Sequence, residues 1–311
     1  MMNGLLKRLG RVHHAHVAKG VLETPPLQPS NDRVVLFSMM GTRVMLPYLV
    51  AVKSLHNRLQ MGRVAILDDG SLTKDDRRLL AEQLGDPVVR HIGEVSTGVC
   101  PKGGTWERLL TLLDMAEHDY VIQLDSDTVT VGDVPEIKRA IQENRCFTLL
   151  GEADAEKNGL IRLNAYAKYC DPTEICDHVQ HHAELNLEHH QDAANHFYVR
   201  GCSGFTGFSR GGRMKRSDAE SFSRFQEGRV GRSKWESWGS EQVTSNFLVA
   251  NSGEPVLLPY ARYRNYWGDK VPEETSFLHF VGTHRYSRMK YASYTQQAIH
   301  ALRQGSGGRA R

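Results

Sequence analysis

Two carboxylates, Asp125 and Asp127, separated only by Ser126, close the apolar run YVIQLDSDT. Negative charges that near repel unless a cation lies between them. A divalent ion that bridges the pair to a diphosphate resolves the repulsion, and hard oxygen donors suit magnesium or manganese. The pair also reads as a solvated turn with an Asp cap; the buried-looking strand in front of it favours the metal. Further chemistry-bearing groups stand elsewhere in the chain. His279 ends a second apolar run, FLHF, where a lone histidine is more often structural. Arg285 follows six residues later and can hold a diphosphate by bidentate hydrogen bonds, which lysine cannot do. Arg108 lies on the helix that leads into the Asp125 strand, where it also reads as a surface arginine. Glu241 and Gln242 follow Ser240, and helix N-cap chemistry accounts for them equally well. Asp68 and Asp69 end another strand, in a turn that could reach a nucleotide.

These groups need elements that position them. VVLFSM (34–39), VAILDD (64–69), VVRHI (88–92), YVIQLD (120–125) and CFTLL (146–150) read as short strands. Between them, Tyr48, Val52, Leu55 and Leu59 recur at helical spacing, as do Trp106, Leu109, Leu110 and Leu113. Thr73 with Asp76 forms a capping-box pattern, and Gly85 closes that helix. Strands alternating with helices predict an α/β fold with a mixed, mostly parallel central sheet. In such sheets ligands gather beyond the carboxyl ends of the strands, where Asp68 and Asp125 fall.

Taken together and in order, these segments resemble the GT-A-fold nucleotide-sugar glycosyltransferases, most closely glycosyltransferase family 8. TWERLLTLLDMAEHDYVIQLDSDTVTVGDVPEI (105–137) is similar to the family's Y-x-R-L … L-D-x-D-x-x-V-x-x-D-L-x-E-L segment. FLHFVGTHRY (277–286) is similar to H-F-x-G-x-x-K-P-W, with Arg285 for lysine and Tyr286 for proline. SEQVTSN (240–246) resembles D-Q-D-x-x-N, with Glu241 and Val243 in place of the two aspartates. CSG (202–204) resembles N-[SA]-G, with Cys202 for asparagine, and LPYLVAVKSL (46–55) resembles the first helix. The similarity spans about residues 34–286.

The resemblance implies metal-dependent transfer of a sugar from a nucleoside-diphosphate sugar, a uridine diphosphate sugar being favoured, to a carbohydrate or glycolipid hydroxyl, with retention at the anomeric carbon. It implies Asp125, Asp127 and His279 as ligands of Mn2+ or Mg2+, with His279 a neutral imidazole. Ser38, Arg108, Asp125, Ser126, Gly282 and Arg285 are its donor-binding positions, and Gly282 would admit phosphate close to the backbone. Cys202, Ser203 and Gly204 would line the sugar and acceptor. Glu241 and Gln242 would flank the reacting carbon, where an oxygen stabilises oxocarbenium-like charge.

Rival readings remain. DSDTV also fits the nucleophile motif of haloacid-dehalogenase-type phosphatases with Asp125 phosphorylated, although three strands precede it here. MMGTRVMLP (39–47) is similar to a sugar-nucleotidyltransferase loop that has lost a glycine. Glu241 and Cys202 leave room for a catalytically silent nucleotide-sugar or carbohydrate-binding protein. His181, His182, His189, His190 and His196 lack clean zinc spacing, and a solvated polar helix is the expectation there.

Composition narrows the classes. The chain has 311 residues, 40% hydrophobic and 24% charged, which excludes wholesale disorder. Its net charge of +3 gives no footprint for a nucleic-acid partner. No apolar run approaches the roughly 18 residues of a membrane span. The start lacks a continuous apolar core, so no secretory leader is expected. Five cysteines without a C-x-x-C motif suit a reducing, cytoplasmic setting. The organisation expected is a basic extension over 1–30, a GT-A-like domain over 31–290 and a basic, partly disordered tail over 291–311. LLKRLGRV (5–12) and the basic tail suggest weak peripheral contact with an anionic membrane face. Arg210 to Lys234, rich in basic residues, glycine and serine, reads as a long surface loop able to act as a lid.

Overall fold

The computed structural model describes residues 2–170 and 176–304. Along the chain, α1 (Met2–Ala18) precedes β1 (Val34–Met40), α2 (Met45–Leu59), β2 (Arg63–Asp68), α3 (Lys74–Leu84), β3 (Val88–His91), α4 (Trp106–Ala116) and β4 (Tyr120–Leu124). There follow β5 (Thr128–Thr130), α5 (Pro135–Gln142), β6 (Phe147–Leu150), α6 (Ala153–Asn158), β7 (Ile161–Arg162), α7 (Leu163–Tyr166), α8 (Val179–Leu185), β8 (Phe197–Tyr198) and β9 (Gly201–Phe208). The chain closes through α9 (Arg216–Val230), α10 (Arg232–Trp235), α11 (Ser240–Ala250), β10 (Val256–Leu257), β11 (Tyr263–Asn265), β12 (Phe277–His279) and α12 (Lys290–Gln304).

A seven-stranded sheet has the order β10-β6-β9-β4-β1-β2-β3. β1 with β2, β2 with β3, and β10 with β6 pair in parallel, while β9 runs antiparallel to β6. This is the mixed, mostly parallel α/β sheet that the strand–helix alternation predicts. The chain groups into two compact units, one of Met1–His91, Ile122–Lys138 and Pro259–Arg311, the other of Ile92–Val121 and Arg139–Leu258.

In the first unit the apolar strands β1 and β2 are almost wholly buried. Tyr48, Val52, Leu55 and Leu59 of α2 are buried at their helical spacing. Thr73 accepts from the Asp76 amide while the Asp76 carboxylate accepts from the Thr73 amide, so the capping box forms, and Gly85 ends α3 in the left-handed region at φ 72°. Asp68 is buried and paired with Arg77, and its Oδ1 accepts from the Gly70 amide at 2.8 Å, so the strand end is a tied turn. The terminal helices belong to this unit. The His14 ring of α1 stacks on Tyr291 of α12 at 3.6 Å, and its Nε2 lies 3.2 Å from Thr295 Oγ1. α12 begins at Lys290, and its Tyr291, Thr295, Ala298, Ile299 and Leu302 are buried. Of the tail expected to be disordered, residues 305–311 lie outside the described residues.

The second unit corrects two expectations. Residues 216–230 are not a loop but the helix α9. Its start is capped by the Lys215 amide donating to Asp218 Oδ2 at 2.7 Å. Ala219, Phe222, Ser223 and Gln226 form its buried stripe, and Phe222 stacks on Phe247 at 4.1 Å. Glycine, serine and arginine on the other faces hide this narrow stripe from a reading by composition. Nor is α8 a solvated polar helix: Val179, Gln180, His181, Ala183 and Glu184 are all buried in it. Gln180 Nε2 donates to Glu184 Oε1 at 2.7 Å, which satisfies these two buried polar groups away from water. No helix among the described residues is long and apolar enough to cross a membrane.

Candidate functional site

In the first unit, chain pairing brings Asp125, Asp127 and His279 together. β4 delivers Asp125 just past its end, and the chain turns through Ser126 and Asp127 into β5. β12 pairs antiparallel with β5, with Thr128 opposite His279, and the Phe280 amide donates to the Asp127 carbonyl at 2.8 Å. Strand register therefore carries His279 to the Asp pair across a long stretch of sequence. His279 Nε2 stands 3.3 Å from Asp127 Oδ1 and 3.8 Å from Asp125 Oδ2. Among the described residues these three form a group whose ligand atoms all lie within 4.8 Å of one another.

The other ring nitrogen is held. β11 pairs in parallel with β12, placing Asn265 beside His279, and Asn265 Oδ1 lies 2.9 Å from His279 Nδ1. Nδ1–H donates to that amide oxygen, so Nε2 is the ring nitrogen that faces the two carboxylates. A bound partner on the far nitrogen is the usual support of a metal-ligating histidine. Asn265 is buried, and sequence reasoning missed it because its role exists only through the β11–β12 register. Two carboxylates and a neutral imidazole form a donor set that fits a divalent cation of the magnesium and manganese class.

Arg285 Nη2 pairs with Asp127 Oδ2, and its Nε donates to the Phe280 carbonyl at 3.0 Å. Burial alone would raise the Asp127 carboxyl. The His279 imidazole and the Arg285 guanidinium outweigh burial and hold it below the ordinary carboxylate range. Ser126 is half-buried, and its carbonyl accepts from Tyr291 Oη at 3.4 Å. Gly282 is exposed at φ 45°, in the left-handed region, with open space where a Cβ would stand. Ser38 is buried, and its hydroxyl donates to the Leu124 carbonyl at 2.6 Å. That bond ties β1 to the strand that ends at Asp125.

In the second unit the structure brings Arg108, Ser203, Glu241 and Gln242 together. Glu241, 1% exposed, accepts at Oε2 from Thr105 Oγ1 at 2.9 Å, Ser203 Oγ at 3.2 Å and Arg108 Nη2 at 3.2 Å. Arg108 is itself buried, so this is an internal ion pair, not the surface arginine that helix position alone allowed. Trp106 Nε1 donates to Ser240 Oγ at 2.9 Å and joins the start of α4 to the start of α11. Gln242 is half-buried; its Oε1 accepts from the Ser203 amide at 3.2 Å, and its Nε2 donates to Gln180 Oε1 at 3.0 Å. Cys202, Ser203 and Gly204 lie inside β9, which is buried along its whole length.

No protein-family model matches the chain, and no curated protein matches it. Solved structures do. A structure of the galactosyltransferase LgtC in complex with donor and acceptor sugar analogs is 12% identical, with a TM-score of 0.52, over 86% of this chain and 95% of that one. The bifunctional glycosyltransferase WbbM is 12% identical, with a TM-score of 0.50, over 90% of this chain and 53% of that one. The apo glycosyltransferase GlyE from Streptococcus pneumoniae TIGR4 is 11% identical, with a TM-score of 0.50, over 90% of this chain and 64% of that one. The chain has the GT-A fold. It spans about half the length of WbbM and nearly all of LgtC. In this GT-A fold Asp125 follows the fourth strand, which removes the support for the phosphatase reading, whose nucleophile belongs on a first strand.

Proposed function

We propose that this chain is a metal-dependent glycosyltransferase that moves a sugar from a nucleoside-diphosphate sugar to a carbohydrate or glycolipid hydroxyl, with retention at the anomeric carbon, in glycan or glycolipid synthesis. The observation that carries the reading is the convergence of Asp125, Asp127 and His279, with Arg285 beside them, in a chain of GT-A fold. The two carboxylates and His279 Nε2 would hold Mn2+ or Mg2+, which supplies positive charge to a diphosphate leaving group. Asn265 holds the imidazole turned so that Nε2 is the nitrogen at that position. Arg285 is one-third exposed, is anchored through Nε to the Phe280 carbonyl, and offers a permanent positive charge for a leaving oxygen. Gly282 lets an anion approach the backbone without a side chain in the way. A uridine diphosphate sugar is the favoured donor, on the motif resemblance.

A screen of nucleotide sugars for manganese-dependent release of nucleoside diphosphate tests this reading. Release with at least one donor, lost in folded Asp127→Ala and His279→Ala, is the expected result. Full turnover in folded Asp127→Ala rejects it. Anomeric proton couplings of the product decide retention.

One observation favours a second reading. Glu241, expected beside the reacting carbon, is committed to a buried pair with Arg108. A catalytically silent nucleotide-sugar binder would bind manganese and donor, yet release no nucleoside diphosphate from any of them.

The site of action we propose is the cytoplasm, which five cysteines without a C-x-x-C motif suit, with weak contact to an anionic membrane face through α1. Leu9 and Val12 of that helix are exposed beside Arg8 and Arg11, while Gly10 and His14 face inward. Sedimentation with anionic vesicles, falling with added salt and on removal of residues 1–30, is expected; equal partition onto neutral vesicles rejects the contact.

A further inference from the structure

Trp238 is 70% exposed, the most exposed of the large apolar side chains described. The chain around it is held by defined contacts. The His178 ring meets it edge-on, with centroids 5.6 Å apart and planes at 88°. His178 is fixed in turn as the N-cap of α8, its Nδ1 accepting from the Gln180 amide at 3.2 Å. Lys234 Nζ donates to the Asp177 carbonyl at 2.9 Å and clamps the strand of chain before α8 to the segment before Trp238. Gly239 follows at φ 108°, and a Cβ there would stand 2.6 Å from His178 Cε1. Only glycine allows both that backbone turn and the close approach of the imidazole.

The same juncture fixes an amide. Gln242 lies in the first turn of α11, a few residues after Trp238. Glu184 is buried, and its Oε1 accepts from Gln180 Nε2 at 2.7 Å and from Tyr198 Oη at 3.1 Å. A carboxylate only accepts, so Gln180 must turn its NH2 toward Glu184 and its oxygen toward Gln242 Nε2. Gln242 thereby has its own orientation set, with its oxygen toward the Ser203 amide. These bonds use one N–H and one lone pair of an amide that can make four hydrogen bonds. An exposed aromatic ring thus lies four residues before a half-buried, oriented amide, and α8 holds both, His178 meeting the ring and Gln180 the amide.

We propose that Trp238 and Gln242 form a saccharide subsite for the acceptor, in which a pyranose stacks its C–H face on the indole and directs hydroxyls to the amide. A pyranose has one apolar face and a rim of donors and acceptors, and this pair supplies a counterpart for each. Tryptophan gives a large apolar contact with little side-chain entropy to lose. The word acceptor rests on the glycosyltransferase reading; the pyranose contact does not.

Saturation-transfer NMR on the full-length chain, with the methyl pyranosides of glucose, galactose, mannose and N-acetylglucosamine as probes, tests the subsite directly. At least one probe is expected to show transfer concentrated on the ring C–H protons of one face. Trp238→Ala should weaken that probe about tenfold, as loss of a stacked ring does, and Trp238→Phe should restore most of the contact. Melting temperatures show that each variant is folded, which an exposed position predicts. Transfer unchanged in Trp238→Ala, or no transfer from any probe, overturns the proposal. So does self-association of the native chain that disappears in Trp238→Ala without any sugar contact. Donor hydrolysis by the native protein is measured separately: its absence would reject the transferase reading while leaving a Trp238-dependent sugar contact standing.

Discussion

Replacing Glu241 by alanine should destabilise the protein severely, whatever happens to turnover. Glu241 is 1% exposed, and its Oε2 is the acceptor for Thr105, Ser203 and Arg108. The variant takes from the buried Arg108 guanidinium the carboxylate that lies 3.2 Å from its Nη2. Breaking a buried ion pair from one side costs about 3–5 kcal/mol, because the remaining charge keeps its desolvation penalty. Unfolding entropy of about 2.1 cal/mol/K per residue makes that a fall of roughly 5–8 °C in melting temperature for a chain of this length. Removing both charges is a different perturbation. Arg108→Met with Glu241→Met leaves no orphaned ion, and the double variant should recover at least about 2 kcal/mol relative to the sum of the single ones. Urea unfolding followed by circular dichroism gives all the terms of the cycle. If Glu241→Ala stays within about 1 kcal/mol of the native protein, or if the two single effects simply add, the pair is not the internal support described here.

Manganese should raise the melting temperature of the native chain, by about 2.7 kcal/mol of stability at a hundredfold excess over the dissociation constant, and Asp127→Asn should abolish the shift in a thermal melt with and without metal. Asn265→Ala should keep the fold but weaken manganese binding by about 10–100-fold in calorimetry, since it frees His279 to rotate and change tautomer. Acid should loosen the contact of α1 with α12. Burial, with Arg285 and His13 adding, pushes the His14 imidazole from 6.5 down to about 4. The folded state therefore disfavours the protonated ring, so this contribution is whole above pH 6.5 and is lost as pH falls toward 4, a change of about 3 kcal/mol. In His14→Gln, chemical denaturation at stepped pH should lose that part of the slope; an unchanged slope would remove His14 as its source.

Much of the first unit was legible because local rules and tertiary packing agree there. Apolar runs at 34–39 and 64–69 are buried strands, and the Thr73–Asp76 box with Gly85 bounds α3 where the pattern puts it. β9 was not legible. It is buried along all eight residues, so it has no in–out alternation, and three of its residues are glycines that weaken any strand signal. α9 escaped for the converse reason: four residues bury it, and the rest of its sequence is what a surface loop would carry. Of the candidate residues, the motif order pointed to Asp125, Asp127, His279 and Arg285 as partners, and geometry joins them. The same order pointed to Arg108 and Glu241 as groups facing a ligand. Charge pairing in the interior, which no spacing reveals, turns them toward each other.

Asn265 shows what kind of information was missing. Its neighbours in sequence say nothing of metal or sugar; its place is set by three strands, with β11 beside β12 and β12 beside β5. Two consecutive pairings align Asn265, His279 and Thr128 in one row across that sheet. Backbone hydrogen bonds therefore set the spacing of imidazole and carboxylate, and the Asn265 amide sets which imidazole nitrogen is bare. A donor set fixed in this way has little conformational freedom left to lose when a cation arrives, which raises affinity without any further contact. The row also makes the order of effects testable by position. A change in Asn265 acts through His279, whereas a change in Asp127 removes a donor and, with it, the carboxylate paired with Arg285.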